Sequence, residues 1–168
     1  MISGRPPSND DVRRFWEANP VAAEDVAAVP GSPDFYAKFD VLREAEDCEP
    51  YAYSNRSHGF EKGRSKRVLD VGCGNGYVLS RYARNGAEVH GVDITSKAVE
   101  LTRRRFELEG LHGLAQQIDG VTLPYPDGHF DIVCSMGVLH HIADPTTQKR
   151  VPVSSSCSGW LTGMPQLV

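Results

Sequence analysis

Residues 67–93 read RVLDVGCGNGYVLSRYARNGAEVHGVD, and the reading of this stretch decides the fold. Arg67–Val71 is a short run of β-branched and leucine residues, a strand pattern that passes at once into Gly72-Cys73-Gly74-Asn75-Gly76. The period then changes. Val78, Leu79, Tyr82 and Ala83 recur on one helical face, and Asn85-Gly86 stops that helix. Glu88–Val92 is a second strand, ending at Asp93.

The pattern continues on both sides. Thr95 or Ser96 caps a helix carrying Ala98, Val99, Leu101, Phe106 and Leu108 up to Gly110. Gly113–Ile118 is a weaker third strand ending at Asp119. Phe130–Ser135 is a fourth, ahead of Gly137-Val138-Leu139-His140-His141. Upstream, Asp10–Glu17 is amphipathic, with Asp10 or Asp11 as its cap and Phe15 and Trp16 as its anchors. A second helical pattern runs from Pro33 to Asp47 with Phe35, Phe39, Val41 and Leu42 on its apolar side. Strands alternating with helices imply right-handed crossovers and a parallel sheet, so the expected class is α/β with a doubly wound, mostly parallel sheet.

Composition bounds the function. The 168 residues suit one domain with a sizeable core, 40% of them being hydrophobic. A net charge of -4 gives no overall pull toward nucleic acid. The basic runs Lys62–Arg67 and Arg103–Arg105 read as a solvated loop and a helix face. Cys48, Cys73, Cys134 and Cys157 are widely spaced, with no zinc-type pairing, and read as reduced thiols, two of them in core strands. Neither a signal peptide nor a membrane-spanning run is evident, and the expected location is cytoplasmic.

In a doubly wound sheet, ligands bind beyond the carboxyl ends of the strands, near the switch point. The glycine turn, Asp93, Asp119 and the segment Ser135–His141 all fall at such ends. Glycine at 72, 74 and 76 lets the backbone turn sharply and approach a ligand that a Cβ would exclude. Asp93 is placed to accept hydrogen bonds from a ribose diol. A nicotinamide dinucleotide prefers G-x-G-x-x-G/A, and here the last of those positions is Tyr77. A large side chain there would crowd helix against strand, which disfavours an NAD-dependent oxidoreductase.

Val68-Leu69-Asp70-Val71-Gly72-Cys73-Gly74-Asn75-Gly76, Gly91-Val92-Asp93, Leu123-Pro124-Tyr125-Pro126-Asp127 with Phe130-Asp131-Ile132-Val133, and Val138-Leu139-His140-His141 together resemble the class I S-adenosylmethionine-dependent methyltransferases. The nearest branch is the small-molecule type that includes the quinone-biosynthesis methyltransferases. The resemblance covers roughly residues 65 to 145. Phe15-Trp16 with Asn19-Pro20 is similar to the lid helix ahead of the core in some of these enzymes. It implies a Rossmann-like core at 65–145, a helical lid and linker at 1–64, and an irregular tail at 146–168.

The resemblance also implies site roles. Asp70 and the turn Gly72, Cys73, Gly74 and Gly76 would line the methionine part of S-adenosylmethionine, and Asp93, followed by Ile94, would hold the ribose. Asp119 would meet the adenine amino group with Gly120 beside it, although Ile118-Asp119-Gly120 departs from the Gly-Asp-Ala-like sequence usual there. Ser135 and Met136 would floor the site near the transferring methyl. His140 and His141 are the candidate bases for a small-molecule acceptor. Family members continue past the fourth strand with further strands, and Ser158–Gly163 is at most a remnant of the fifth. The expectation is a sheet truncated after the fourth or fifth strand, able to self-associate through its open edge. A non-catalytic cofactor-binding remnant is the alternative function.

Overall fold

The computed structural model describes residues 7–20, 26–45, 58–119 and 122–136. His140, His141, Gly120, Cys48, Cys157 and the 146–168 tail lie outside the described residues. Four strands form one parallel sheet in the order β3-β2-β1-β4: β1 Arg67–Val71, β2 Glu88–Asp93, β3 Leu114–Gln117 and β4 Ile132–Cys134. β1 pairs with β2 from Arg67↔Glu88 to Val71↔Val92, and with β4 from Val68↔Ile132 to Asp70↔Cys134. The doubly wound class is as expected. β3 and β4 are shorter than their sequence patterns, with Phe130 joined only by a separate bridge before β4.

The chain steps from β1 to β2 to β3 in one direction and returns to lay β4 on the far side of β1. Right-handed crossovers therefore put the first two helices on one face and the β3–β4 connection on the other. Helices α3 (Tyr77–Arg84) and α4 (Ser96–Glu109) cover the first face, where Val68, Val89, Leu79, Tyr82 and Phe106 share one core. On the opposite face Leu69, Val92, Phe130 and Val133 form a second core against Leu123 and Tyr125 of the connection. Successive residues Val68 and Leu69 enter different cores because strand side chains alternate.

The helix ends have local causes. α3 begins where Gly76 is left-handed (φ 78°) and stops at Asn85-Gly86, with Gly86 at φ 83°. α4 is capped by Thr95, whose Oγ1 accepts from the Ala98 amide at 3.2 Å, and ends on left-handed Gly110. α1 (Asn9–Ala18) is capped by Ser8 rather than by Asp10 or Asp11. Ser8 and Asp11 form a reciprocal capping box, so Asp11 is the partner three positions in. Phe15 is not an anchor: it is 57% exposed and meets Trp16 edge-on.

α2 (Pro33–Glu44) has Ser32 as cap and Pro33 at its first position, and ends three residues before Asp47. Its buried side chains are Phe35, Tyr36, Phe39 and Arg43, while Val41 is 72% exposed. The i, i+4, i+8 register of Phe35, Phe39 and Arg43 sets the buried face, and Val41 falls off it whatever its hydrophobicity. Leu108 is likewise mostly outside the buried face of α4. Of the Arg103–Arg105 run, Arg103 and Arg104 are exposed but Arg105 is wholly buried, a correction to the solvated-face reading. Cys134 is buried in a strand, whereas Cys73 is buried in the glycine turn.

Candidate functional site

The switch point lies between β1 and β4: the chain leaves β1 over the helical face and reaches β4 by the connection on the opposite face. Asp70 is the penultimate residue of β1, the glycine turn follows that strand, and Ser135 and Met136 follow β4. Asp93 ends the neighbouring β2. Gly72, Gly74 and Gly76 all adopt left-handed backbone, at φ 82°, 55° and 78°. Other residues reach that region only at a cost, so the glycines are required by the turn itself. At Gly76 a Cβ would also stand 3.1 Å from Cα of Thr102, because α4 lies directly against the turn.

The amides of Gly72, Cys73, Gly74 and Gly76 are satisfied within the protein. Gly72 and Cys73 donate to the Val92 carbonyl at 2.7 and 3.1 Å, and Gly74 donates to Asp93 Oδ2 at 3.1 Å. Gly76 donates to the Cys73 carbonyl at 2.9 Å and Tyr77 to Asn75 Oδ1 at 3.2 Å. A pyrophosphate needs such amides free, so this geometry counts against a nicotinamide dinucleotide. The Tyr77 ring turns toward α2, meeting Phe39 at 5.8 Å and lying under the Arg43 guanidinium at 4.9 Å.

Two carboxylates and one cation set the electrostatics. Asp70 is 3% exposed, and burial pushes its pKa up to about 7. A bond from Cys134 opposes the rise, the charge of Asp93 adds to it, and Arg43 opposes it. Burial also raises Asp93, against the hydrogen bonds it accepts from Thr95 and Gly74. Thr95 holds Asp93 Oδ1 through both its amide and its hydroxyl, each at 2.9 Å, which orients the carboxylate. Arg43 is buried on α2 and donates to Sδ of Met136 at 3.6 Å. Ser135 is buried, and its Oγ has no hydrogen-bond partner among the described residues.

Of the residues expected from sequence, Asp70, Gly72, Cys73, Gly74, Gly76, Asp93, Ser135 and Met136 are thus gathered at adjoining strand ends. Ile94 is half-buried after β2, its carbonyl accepting from Gln117 Nε2 at 2.9 Å. Asp119 is exposed and accepts from the Thr122 amide at 3.0 Å, a turn contact.

Sequence reasoning missed Arg43, Thr102 and Arg105. Arg43 follows Phe39 by one helical turn, and Arg105 follows Thr102 by three residues on the buried side of α4. Register was the available signal, and the charge of the two arginines masked it.

Residues 68–152 match the methyltransferase domain family. The chain is 36% identical over 120 residues to a ubiquinone biosynthesis O-methyltransferase of Cereibacter sphaeroides, covering 67% of this chain and 49% of that protein. Curated relatives of this name are spanned over 32% of their length in Maricaulis maris and 49% in Cereibacter sphaeroides, so the chain corresponds to less than half of each. Among solved structures, the YcgJ protein of Bacillus subtilis aligns with TM-score 0.53 and 28% identity over 58% of this chain and 43% of its own. The cyclase SpnF aligns with TM-score 0.62 over 84% of this chain and 54% of its own, and at 23% identity that likeness concerns the fold alone. With the family match extending over half its residues, and with its glycine turn and strand-end acids inside the matched span, this chain belongs to the methyltransferase domain family.

Proposed function

We propose that this chain binds S-adenosylmethionine at the carboxyl ends of β1, β2 and β4 and transfers a methyl group to a small organic acceptor. One observation carries the reading: the left-handed glycine turn lies between buried Asp70 at the end of β1 and the oriented carboxylate of Asp93 at the end of β2. Residues 65–145 are the cofactor core of this reading and 1–64 its lid and linker. The acceptor is a small molecule rather than nucleic acid, in keeping with the net charge of -4, and the enzyme works in the cytoplasm. Among the described residues no helix is long and apolar enough to cross a membrane.

The residues fit the cofactor by charge and by hydrogen bonding. A buried acid held near neutrality gains most from a cationic donor, and Asp70 would take the ammonium of the methionine part. Arg43 would face its carboxylate. Asp93, aimed by Thr95 and Gly74, would accept from the ribose hydroxyls. Ser135 Oγ offers a buried hydroxyl at the floor, with Met136 beside it. S-Adenosylmethionine brings a methyl already activated on a sulfonium, and the thioether that leaves is neutral.

The protein's own work is therefore placement and exclusion of water. Ser135 and Met136 would line the side of the site at which the acceptor is placed. His140 or His141 would remove the acceptor's proton where it carries one. The same site would serve a chain that binds the cofactor without transfer, and formation of S-adenosylhomocysteine separates the two.

A thermal melt with and without S-adenosylhomocysteine tests the reading, with NAD as control. At about 100 times its dissociation constant a ligand stabilises the native state by roughly 2.7 kcal/mol. In a domain of this size that is a rise on the order of 5 °C. The rise should appear with S-adenosylhomocysteine alone and vanish in Asp93→Ala. A rise with NAD alone, or with neither ligand, overturns it.

A further inference from the structure

Helix α4 reaches the glycine turn with two side chains. Thr102 Oγ1 donates to the Gly74 carbonyl at 3.1 Å, and Arg105 Nε donates to the adjacent Asn75 carbonyl at 3.0 Å. Both side chains are wholly buried. The other end of the Arg105 guanidinium is anchored elsewhere. Its Nη1 donates to both oxygens of Asp40 on α2, at 2.8 and 3.1 Å, and to Glu109 Oε1 at 3.1 Å. The group also lies 4.6 Å from the centroid of the Tyr36 ring. Arg84 of α3 closes the cluster with an ion pair to Glu109 at 2.8 Å.

Burying a guanidinium is expensive unless it is paired and hydrogen-bonded, and a leucine would fill the space more simply. What the arginine does that a leucine cannot is hold a backbone carbonyl of the turn. That matters because glycine-rich backbone has many accessible states, and ordering it on binding opposes affinity. Gly74 is tied at both backbone groups, its amide to Asp93 and its carbonyl to Thr102. Asn75 is tied by its carbonyl to Arg105 and by its side chain to the Tyr77 amide.

We propose that Thr102 and Arg105 are positioning residues that clamp the glycine turn in its ligand-ready shape, with Asp40, Glu109 and Tyr36 holding Arg105 in place. The inference rests on the S-adenosylmethionine reading of the turn and deepens it. Through Asp40 the clamp also joins α2, in the region ahead of the core, to the cofactor loop.

The test is calorimetric titration of the full chain with S-adenosylhomocysteine, run with ligand-free melts and hydrogen exchange of the residue 74–76 amides. Arg105→Lys keeps the charge between Asp40 and Glu109 but removes the Nε donor. It should melt close to wild type, bind about ten-fold more weakly, and exchange those amides faster, as expected for one lost buried hydrogen bond to a charged donor. A folded Arg105→Lys with wild-type affinity and wild-type exchange overturns the clamp.

If Arg105→Lys fails to fold, Thr102→Val decides. It is close in volume, lacks only the hydroxyl, and should weaken binding about five-fold. Wild-type affinity in that variant overturns the proposal. Should the wild-type chain bind no S-adenosylhomocysteine, the cofactor reading falls and exchange alone judges the clamp. Unchanged protection of residues 74–76 in both variants then overturns it.

Discussion

The two faces of the sheet are built on different principles. One is covered by α3 and α4, with α2 packed beyond them, and its core joins Phe35, Phe39, Tyr77 and Tyr82 to the strands. The other is covered, among the described residues, by the short β3–β4 connection, through Leu123, Tyr125 and Phe130. The difference follows from topology. Two crossovers in one direction stack two helices on one side, and the reversal toward β4 sends a single connection over the other. The candidate site lies where the reversal occurs, and α4 packs directly against its glycine turn. Ser135 and Met136 directly follow β4, the strand that the lighter connection delivers.

Side-chain truncation on each face should show this contrast most strongly. Leu79 is wholly buried under the helices, and Leu79→Ala should lose about 3 kcal/mol of unfolding free energy. Leu123, only partly buried on the other face, should lose about 1 kcal/mol on the same change. Equal losses in urea titrations would break the comparison. Next in size is Gly76→Ala. Left-handed backbone and a Cβ 3.1 Å from Thr102 should together destabilise the chain by about 2 kcal/mol and weaken S-adenosylhomocysteine binding. A variant that melts and binds as wild type would show that the turn needs no glycine there.

A smaller effect comes from pH. Burial raises Asp70 from an ordinary 3.8 to about 7 in the folded chain. Between those values the native state keeps a proton that the unfolded chain has released, so stability falls as pH rises from about 4 to about 7 and levels off above. Asp70→Asn should flatten melting temperature across that window, and an unchanged slope would place the titration elsewhere. A cationic ligand beside Asp70 should also release a proton on binding below pH 7, measurable by calorimetry in buffers of different ionisation heat. The smallest effect is expected off both faces: Val41→Ala, at an exposed position, should change stability by no more than about 0.5 kcal/mol.

Much of this was legible in the sequence alone. A strand pattern, three alternate glycines and a change of period at Tyr77 determined a βαβ unit, because those patterns follow from local sterics and from which side chains can share a face. Asp70, Asp93 and the residues after β4 were legible as site residues because topology alone sends strand ends to one site.

Where packing decides, the sequence was silent or misleading. Val41 and Phe15 are hydrophobic yet exposed, and the cap of α1 is Ser8, since neighbouring elements and amide geometry choose among candidates of similar propensity. Arg43 and Arg105 are charged yet buried, which only the convergence of three helices on one turn could arrange. Local sequence determines which elements form and which ends meet. Tertiary structure alone decides which polar side chains are taken out of water, because that balance depends on partners distant in the chain, such as Asp40 for Arg105.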